Sequence, residues 1–309
     1  MQNSRKDVMI GTWAWGSGYN GSSMVFGNKQ DEIALAEAFD MAVNSGFLKW
    51  DTAAVYGMGS CEKLLGKLIM GNDDIYISTK YFPEKKYKHG ALIKSFNESM
   101  ERLGRKTANL FWIHVPNNLE ENLKEAIPLI KDGCIGSIGI SNVSLDHIIF
   151  AESILAKENI KLGAIQNHFS LLRNDQQKII DYCNSRGITY CAYMVLEQGA
   201  LSGNYNAAHH FPLFSMRNLS FPKAKFKKIE GLLNTMKDIA DGYGIDQSQI
   251  PILWAMSKGA VPIVGVTKPK HVAKLAAAIT VSLTSEEISR IEKEAAGTGI
   301  RQQGYWEPQ

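Results

Sequence analysis

Eight short runs rich in β-branched and aromatic residues, separated by longer segments of helical periodicity and by no Pro/Gly/Ser-rich linker, predict one closed (β/α)8 barrel for this 309-residue sequence. The strand runs are 8–12, 47–52, 75–80, 109–114, 135–140, 164–166, 189–193 and 262–264. Four segments at or just past strand ends gather polar, chemically capable side chains: Asp51 to Gly57, Ser78 to Lys80, Trp112 to His114 and Gly139 to Asn142. In a barrel of parallel strands such ends converge on one face, where barrel enzymes place their sites.

Taken in order, the elements support that architecture. The first strand run is followed by an apolar-periodic helix over 32–45, and the second ends on Asp51. Further helical segments at 92–103, 119–132, 145–158 and 175–186 alternate with the next strands, as crossover helices require. Ser144-Leu145-Asp146 and Ser285-Glu286-Glu287 read as N-caps with acidic first turns. Gly46, Gly104, Gly133 and Gly187 each sit just past a helical pattern, where a left-handed terminating residue belongs. Residues 204–223, rich in Asn, His, Phe and Pro, show no clear periodicity. A connection that long is uncommon in a compact domain, and is expected to be a flap over a ligand. The domain is expected to span 1–309, with 297–309 near the substrate pocket.

Bulk composition excludes several classes. Hydrophobic residues make up 45% of the chain, enough for a substantial core, and no apolar stretch approaches bilayer-spanning length. The formal net charge of +3 argues for neither nucleic acid nor membrane as partner. The densest basic run, Lys223 to Lys228, reads as a solvated helix start. Cys61, Cys134, Cys183 and Cys191 fall in no CxxC or CxxH pattern and are expected to be reduced thiols. The first seven residues lack an apolar signal region, so a cytoplasmic location is expected.

The strand-end side chains suit proton transfer to a carbonyl oxygen. A phenol with an ordinary pKa of about 10 is protonated at neutral pH, so Tyr56 can act as an acid. Lys80, on the next strand end, is expected to stabilise the phenolate and draw that pKa down. Asp51 would keep the lysine charged and oriented, and His114 could donate to the same substrate oxygen. No HExxH motif, no G-x-S-x-G elbow and no GxGxxG loop competes with this reading, and no metal is expected. Gly265-Val266-Thr267-Lys268-Pro269 follows the eighth strand, where barrel enzymes commonly bind phosphate, and Lys268 and Lys270 could add charge.

From Met9 to the last predicted helix the chain resembles the aldo-keto reductases. Asp51-Thr52-Ala53-Ala54-Val55-Tyr56-Gly57 is similar to the family's D-T-A-x-x-Y-G segment, and Ser78-Thr79-Lys80 with Ile113-His114 completes its Asp/Tyr/Lys/His tetrad. The resemblance implies NADPH, with NADH as the less favoured cofactor, bound in extended form on a barrel. It implies hydride transfer to an aldehyde or ketone carbonyl, with Tyr56 as general acid. By the same resemblance Ser141, Asn142 and Gln166 hold the nicotinamide carboxamide, and Tyr193 is the ring on which nicotinamide stacks. Leu196, Gly199 and Leu201, within the segment 196–205, would cover the pyrophosphate, with Gly265 and Thr267 completing the phosphate side. Lys268 and His271 would offer cations to a 2′-phosphate. The sequence departs from the family at Val272-Ala273-Lys274-Leu275, which lacks the acidic-Asn pair that grips adenine in many members. Trp13, Tyr19, Phe82, Trp112 and Tyr305-Trp306 are the candidate substrate walls, favouring an apolar or aromatic carbonyl compound.

Two rival readings follow from other classes. One is a non-catalytic nicotinamide-nucleotide sensor or accessory subunit, which would have no need of a complete tetrad. The other is a Schiff-base aldolase with Lys80 as nucleophile. The pairing of Asp51 with Tyr56 and the set Ser141, Asn142, Gln166 and Tyr193 count against it.

Overall fold

The computed structural model of the chain describes residues 7–27 and 31–304. Eight parallel strands close into a barrel in sequence order: β1 Met9–Gly11, β2 Lys49–Asp51, β3 Tyr76–Tyr81, β4 Leu110–Ile113, β5 Ile138–Ser141, β6 Leu162–His168, β7 Thr189–Tyr193 and β8 Val261–Gly265. The last strand pairs with the first, Gly11 lying beside Gly265. The fifth strand starts later than the sequence suggests, since Ile135 makes only an isolated bridge with Ala108. The sixth is longer than expected at both ends.

The period of two along each strand sorts the side chains into two cores. Outward residues such as Ile10, Trp50, Ile77, Phe111, Ile113, Ile140 and Ile165 join the large core beneath the helices. Met9, Leu110, Trp112, Ala164 and Cys191 form a separate cluster, which fills the barrel lumen. Trp112 plugs that lumen opposite Gly139, its register partner on β5. A Cβ at residue 139 would collide with the Trp112 ring, so glycine is required there by the indole.

The helices that carry the connections are α1 Ser22–Phe26, α2 Glu32–Asn44, α3 Ser60–Leu68, α4 Ala91–Leu103, α5 Leu119–Lys131, α6 Leu145–Ala156, α7 Gln177–Arg186, α8 Met216–Ser220, α9 Lys223–Lys228, α10 Glu230–Tyr243, α11 Ile250–Ser257, α12 Pro269–Ala278 and α13 Ser285–Gly297. Ser144 caps α6 through a capping box with His147. The cap of α13 is Thr284 rather than Ser285: its hydroxyl accepts from Glu287 N, and the Glu287 carboxylate accepts from Thr284 N at 2.8 Å. Helix α4 begins at Gly90, which has no capping side chain, so Glu125 of α5 supplies the acceptor, taking Gly90 N at 2.6 Å and Leu92 N at 3.3 Å. The same carboxylate accepts from Tyr87 and so holds the 82–90 loop against the barrel.

Residues 204–223 are not structureless. They contain α8, capped by Ser215, and run into α9, whose Phe226 is buried while most of its lysines face solvent. Helix α8 packs on α1, and Gly27 lies against Pro212 and Ser215. The loop after β1 and the loop after β7 therefore meet across the top of the barrel. No helix among the described residues is long and apolar enough to cross a membrane.

Candidate active site

The barrel register brings the strand-end side chains together. Asp51 lies beside Ser78, and Lys80 beside Trp112, so Asp51, Ser78 and Lys80 all rise from the lumen face of neighbouring strands. Lys80 is fully buried; its ammonium pairs with Asp51 Oδ2 and donates to Thr52 O at 2.8 Å. The other Asp51 oxygen accepts from Ser78 Oγ at 2.7 Å and from Gln166 Nε2 at 3.3 Å. Tyr56 begins a 3₁₀ turn just past β2, with its ring centroid 5.1 Å from Lys80 Nζ. Gly57, at φ +53°, makes that turn: a side chain there would press on Ser17 O and Gly16 Cα of the β1 loop. The His114 ring stands edge-on to Tyr56 at 5.9 Å.

Burial governs the titration of this group. It raises the Tyr56 phenol well above its ordinary range, and the Asp51 carboxylate pushes in the same direction. The expected lowering of the phenol by Lys80 is thereby overturned, because desolvation and Asp51 both favour the neutral ring while Asp51 already engages the ammonium. Burial also lowers Lys80, against the pull of Asp51. His114 is driven well below its ordinary value by burial and then by the Lys80 charge. These directions favour a protonated phenol and a neutral imidazole at neutral pH, beside the buried Asp51–Lys80 contact.

These groups open onto one cavity of 840 Å³. Asp51, Tyr56 and His114 line it together with Ser141, Asn142, Gln166 and Tyr193, and further along with Leu196, Gly199, Gly265, Thr267, Lys268 and His271. Ser141 Oγ donates to Gln166 O at 2.8 Å, and Asn142, at φ +60°, donates to His114 O at 2.9 Å. Tyr193 donates its hydroxyl to Asn142 Oδ1 at 2.6 Å. Among the described residues, five of the sequence-derived candidates lie off the wall, including Phe82 and Tyr19. Lys80 sits behind Asp51, Leu201 is packed in the core, and Trp112 is the lumen plug.

The substrate candidates divide likewise. Trp13 lines the cavity, nearly parallel to Tyr56 at 5.8 Å, with Phe26 edge-on to it. Phe82 is not on the wall but stands edge-on to His114 at 5.5 Å. Tyr19 is 70% exposed and off the wall. Tyr305 and Trp306 lie outside the described residues; just before them, Gln302 is tied to Leu172 and to Lys225 rather than to the Trp13 side.

Sequence reasoning missed Arg217. This guanidinium is buried, lines the cavity, and lies over the rings of Phe211 and Tyr205. Its only local sequence signal is a lone arginine in an aperiodic stretch. Gln198, Gln249 and Lys274 also line the wall. Lys274 pairs with Asp246, so the acidic partner on the α12 side comes from the turn before α11 instead of from α12 itself. Burial pushes Asp246 upward, but hydrogen bonds from Lys274 and Ser248 outweigh it and hold the carboxyl below its ordinary value.

The residues present fit an extended dinucleotide. The long cavity has amide and hydroxyl groups near Tyr56 and cationic side chains farther along. Arg217 Nε, Gln198 Nε2 and Gln249 Oε1 are buried polar atoms left without a hydrogen-bond partner, as groups awaiting a polar ligand would be. Among the described residues no cluster of three or more His, Cys, Asp or Glu is arranged to hold a metal ion.

Comparison with known proteins places this geometry in context. The sequence profile of the Aldo/keto reductase family matches residues 7–296. A chloroplastic pyridoxal reductase of Arabidopsis thaliana is 27% identical over 305 residues, covering 92% of this chain and 81% of its own. Among solved structures, a glycerol dehydrogenase from Gluconobacter oxydans superposes with a TM-score of 0.78 at 24% identity, covering 94% of this chain and 91% of that one. An aldo/keto reductase from Klebsiella pneumoniae, in complex with NADP and acetate, gives 0.72 at 20% identity, with 98% and 94% covered. The two structural likenesses bear on the fold.

Proposed function

Because the chain belongs to the aldo/keto reductase family of oxidoreductases, we propose that it reduces aldehyde and ketone carbonyls with NADPH, Tyr56 acting as the general acid. The observation that supports this most is the meeting of Tyr56, His114 and the Asp51–Lys80 pair with Ser141, Asn142, Gln166 and Tyr193 around one cavity. NADPH, when bound, would supply the hydride for the carbonyl carbon. Tyr56 gives its proton to the carbonyl oxygen, and burial keeps that proton in place at neutral pH until the oxygen becomes basic. Lys80 offsets the phenolate charge as it forms. His114, held neutral, donates a ring N–H to the same oxygen. Asp51 keeps Lys80 oriented.

Ser141, Asn142 and Gln166 would hold the carboxamide, and Tyr193 would carry the nicotinamide face. Arg217, Lys268 and His271 would take the phosphates, beneath a cover formed by residues 204–223. The aromatic rings of Trp13 and Phe26 favour an apolar or aromatic substrate. Lys80 is engaged by Asp51 and Thr52 and lies off the wall, which disfavours a Schiff base.

The test is NADPH oxidation against a panel of aldehydes, ketones and quinones. Tyr56→Phe is expected to lower turnover by about 10²–10⁴-fold while leaving NADPH affinity within about twofold. Wild-type turnover in Tyr56→Phe would remove the mechanism. NADPH binding with no reduction of any carbonyl would favour the sensor reading.

A further inference from the structure

Behind Tyr193 lies a buried network that the chemistry above does not use. His168 is the register partner of Tyr193 on the neighbouring strand, and its imidazole stacks on the tyrosine ring, 5.6 Å between centroids and 27° between planes. His168 Nε2 meets Glu197 Oε1 at 2.7 Å, and Ser170 Oγ donates to the same oxygen. Both members of the pair are almost wholly shielded from solvent, with side chains 0% and 1% exposed. Glu197 begins the turn Glu197–Gly199, whose neighbours Leu196, Gln198 and Gly199 line the cavity. Met194, Glu197 and Gln198 all have positive φ, at 61°, 48° and 55°. Non-glycine residues stay in that region only where surrounding contacts hold them, and the Glu197 carboxylate, anchored to β6, is such a contact.

We propose that Glu197 is a positioning residue which acts through His168 to set the plane of Tyr193, the ring that would carry the nicotinamide. The inference rests on the cofactor reading above. One carboxylate then serves two parts of the cavity. It fixes the imidazole that backs the tyrosine ring, and it pins the turn that would lie over the pyrophosphate. The Tyr193 hydroxyl is held separately by Asn142, so the ring is located at its edge and at its face.

The experiment compares wild type, Glu197→Gln, His168→Asn and the double variant, reading NADPH dissociation constants, the primary deuterium isotope effect on kcat with 4-deuterated NADPH, and the thermal midpoint. Each single variant is expected to weaken NADPH and slow hydride transfer by about 10- to 100-fold, with a larger isotope effect. The double variant is expected to be no worse than the more severe single, because both act along one path. Unchanged affinity and isotope effect in both single variants overturn the proposal, even if the thermal midpoint falls, since that is a structural role alone. Fully additive losses overturn it too, by removing the path through His168. A wild-type protein that neither binds nor oxidises NADPH removes the cofactor reading and this proposal with it. An active wild type with unaffected variants removes this proposal alone.

Discussion

Two lysine–aspartate pairs serve one cavity. On the strand-end side Lys80 and Asp51 pair with side chains 0% and 3% exposed; on the α12 side Lys274 and Asp246 pair at 36% and 28%. The chemistry is the same and the consequences are not. In the buried pair desolvation lowers Lys80 despite Asp51, and each Asp51 oxygen is engaged, by Lys80, Ser78 and Gln166. In the wetter pair both side chains keep contact with solvent, and Asp246 spends its second role capping the turn before α11. Burial, rather than the ion pair itself, sets the first group apart and suits it to the proton transfer proposed above.

The strongest way to break this comparison is to neutralise each lysine. Lys80→Met leaves a buried carboxylate unpaired and is expected to cost about 3–5 kcal/mol of stability in urea unfolding. Lys274→Met is expected to cost less than about 1 kcal/mol, since its partner can turn to water. Equal losses would mean that burial does not distinguish the two ends. Next in size is Arg217→Ala. Loss of a buried cation facing the cavity is expected to raise the NADPH dissociation constant by about 10- to 100-fold in fluorescence titration, with the substrate KM little changed.

A pH effect sharpens the strand-end side. His114 stays neutral when folded, yet in the unfolded chain it takes up a proton below its ordinary value of 6.5. Its contribution to stability is therefore complete above that value and is lost as pH falls. The slope is about 1.4 kcal/mol per pH unit below 6.5 until the folded-state pKa is reached. Urea midpoints measured from pH 7 to pH 5 are expected to fall more steeply for wild type than for His114→Gln. The smallest effect concerns the exposed Lys268. Lys268→Ala is expected to weaken NADPH about two- to fivefold and leave NADH unchanged, and equal losses would take Lys268 out of the 2′-phosphate site.

The same contrast explains what could be read in advance. Asp51, Tyr56, Lys80 and His114 sit at the ends of short β-type runs, where strand position alone says that they converge. Arg217 lies in a stretch whose helix is only five residues long, too short to leave a periodic signal, and it was missed. Trp112 is expected as a pocket wall from its aromatic ring, but it lies deeper along β4 than His114, where side chains fill the barrel interior. It faces the lumen, and Gly139, a member of the Gly-Ile-Ser-Asn segment, is small because of it. The sign of the Tyr56 shift was also out of reach, since proximity to a lysine says nothing of how much water both groups lose.

The sequence by itself determined the barrel, the order of its strands, the strand-end tetrad and the membership of the family. The barrel and its strand order follow from local periodicity, and the tetrad and the family from the motifs that carry the resemblance. Only the tertiary structure decided which of those side chains share a wall and which carboxylate holds which lysine. It alone brought Arg217 to the cavity and Glu197 against His168 behind Tyr193. Burial and electrostatic coupling depend on everything packed around a group, and that surrounding exists only once the barrel has closed.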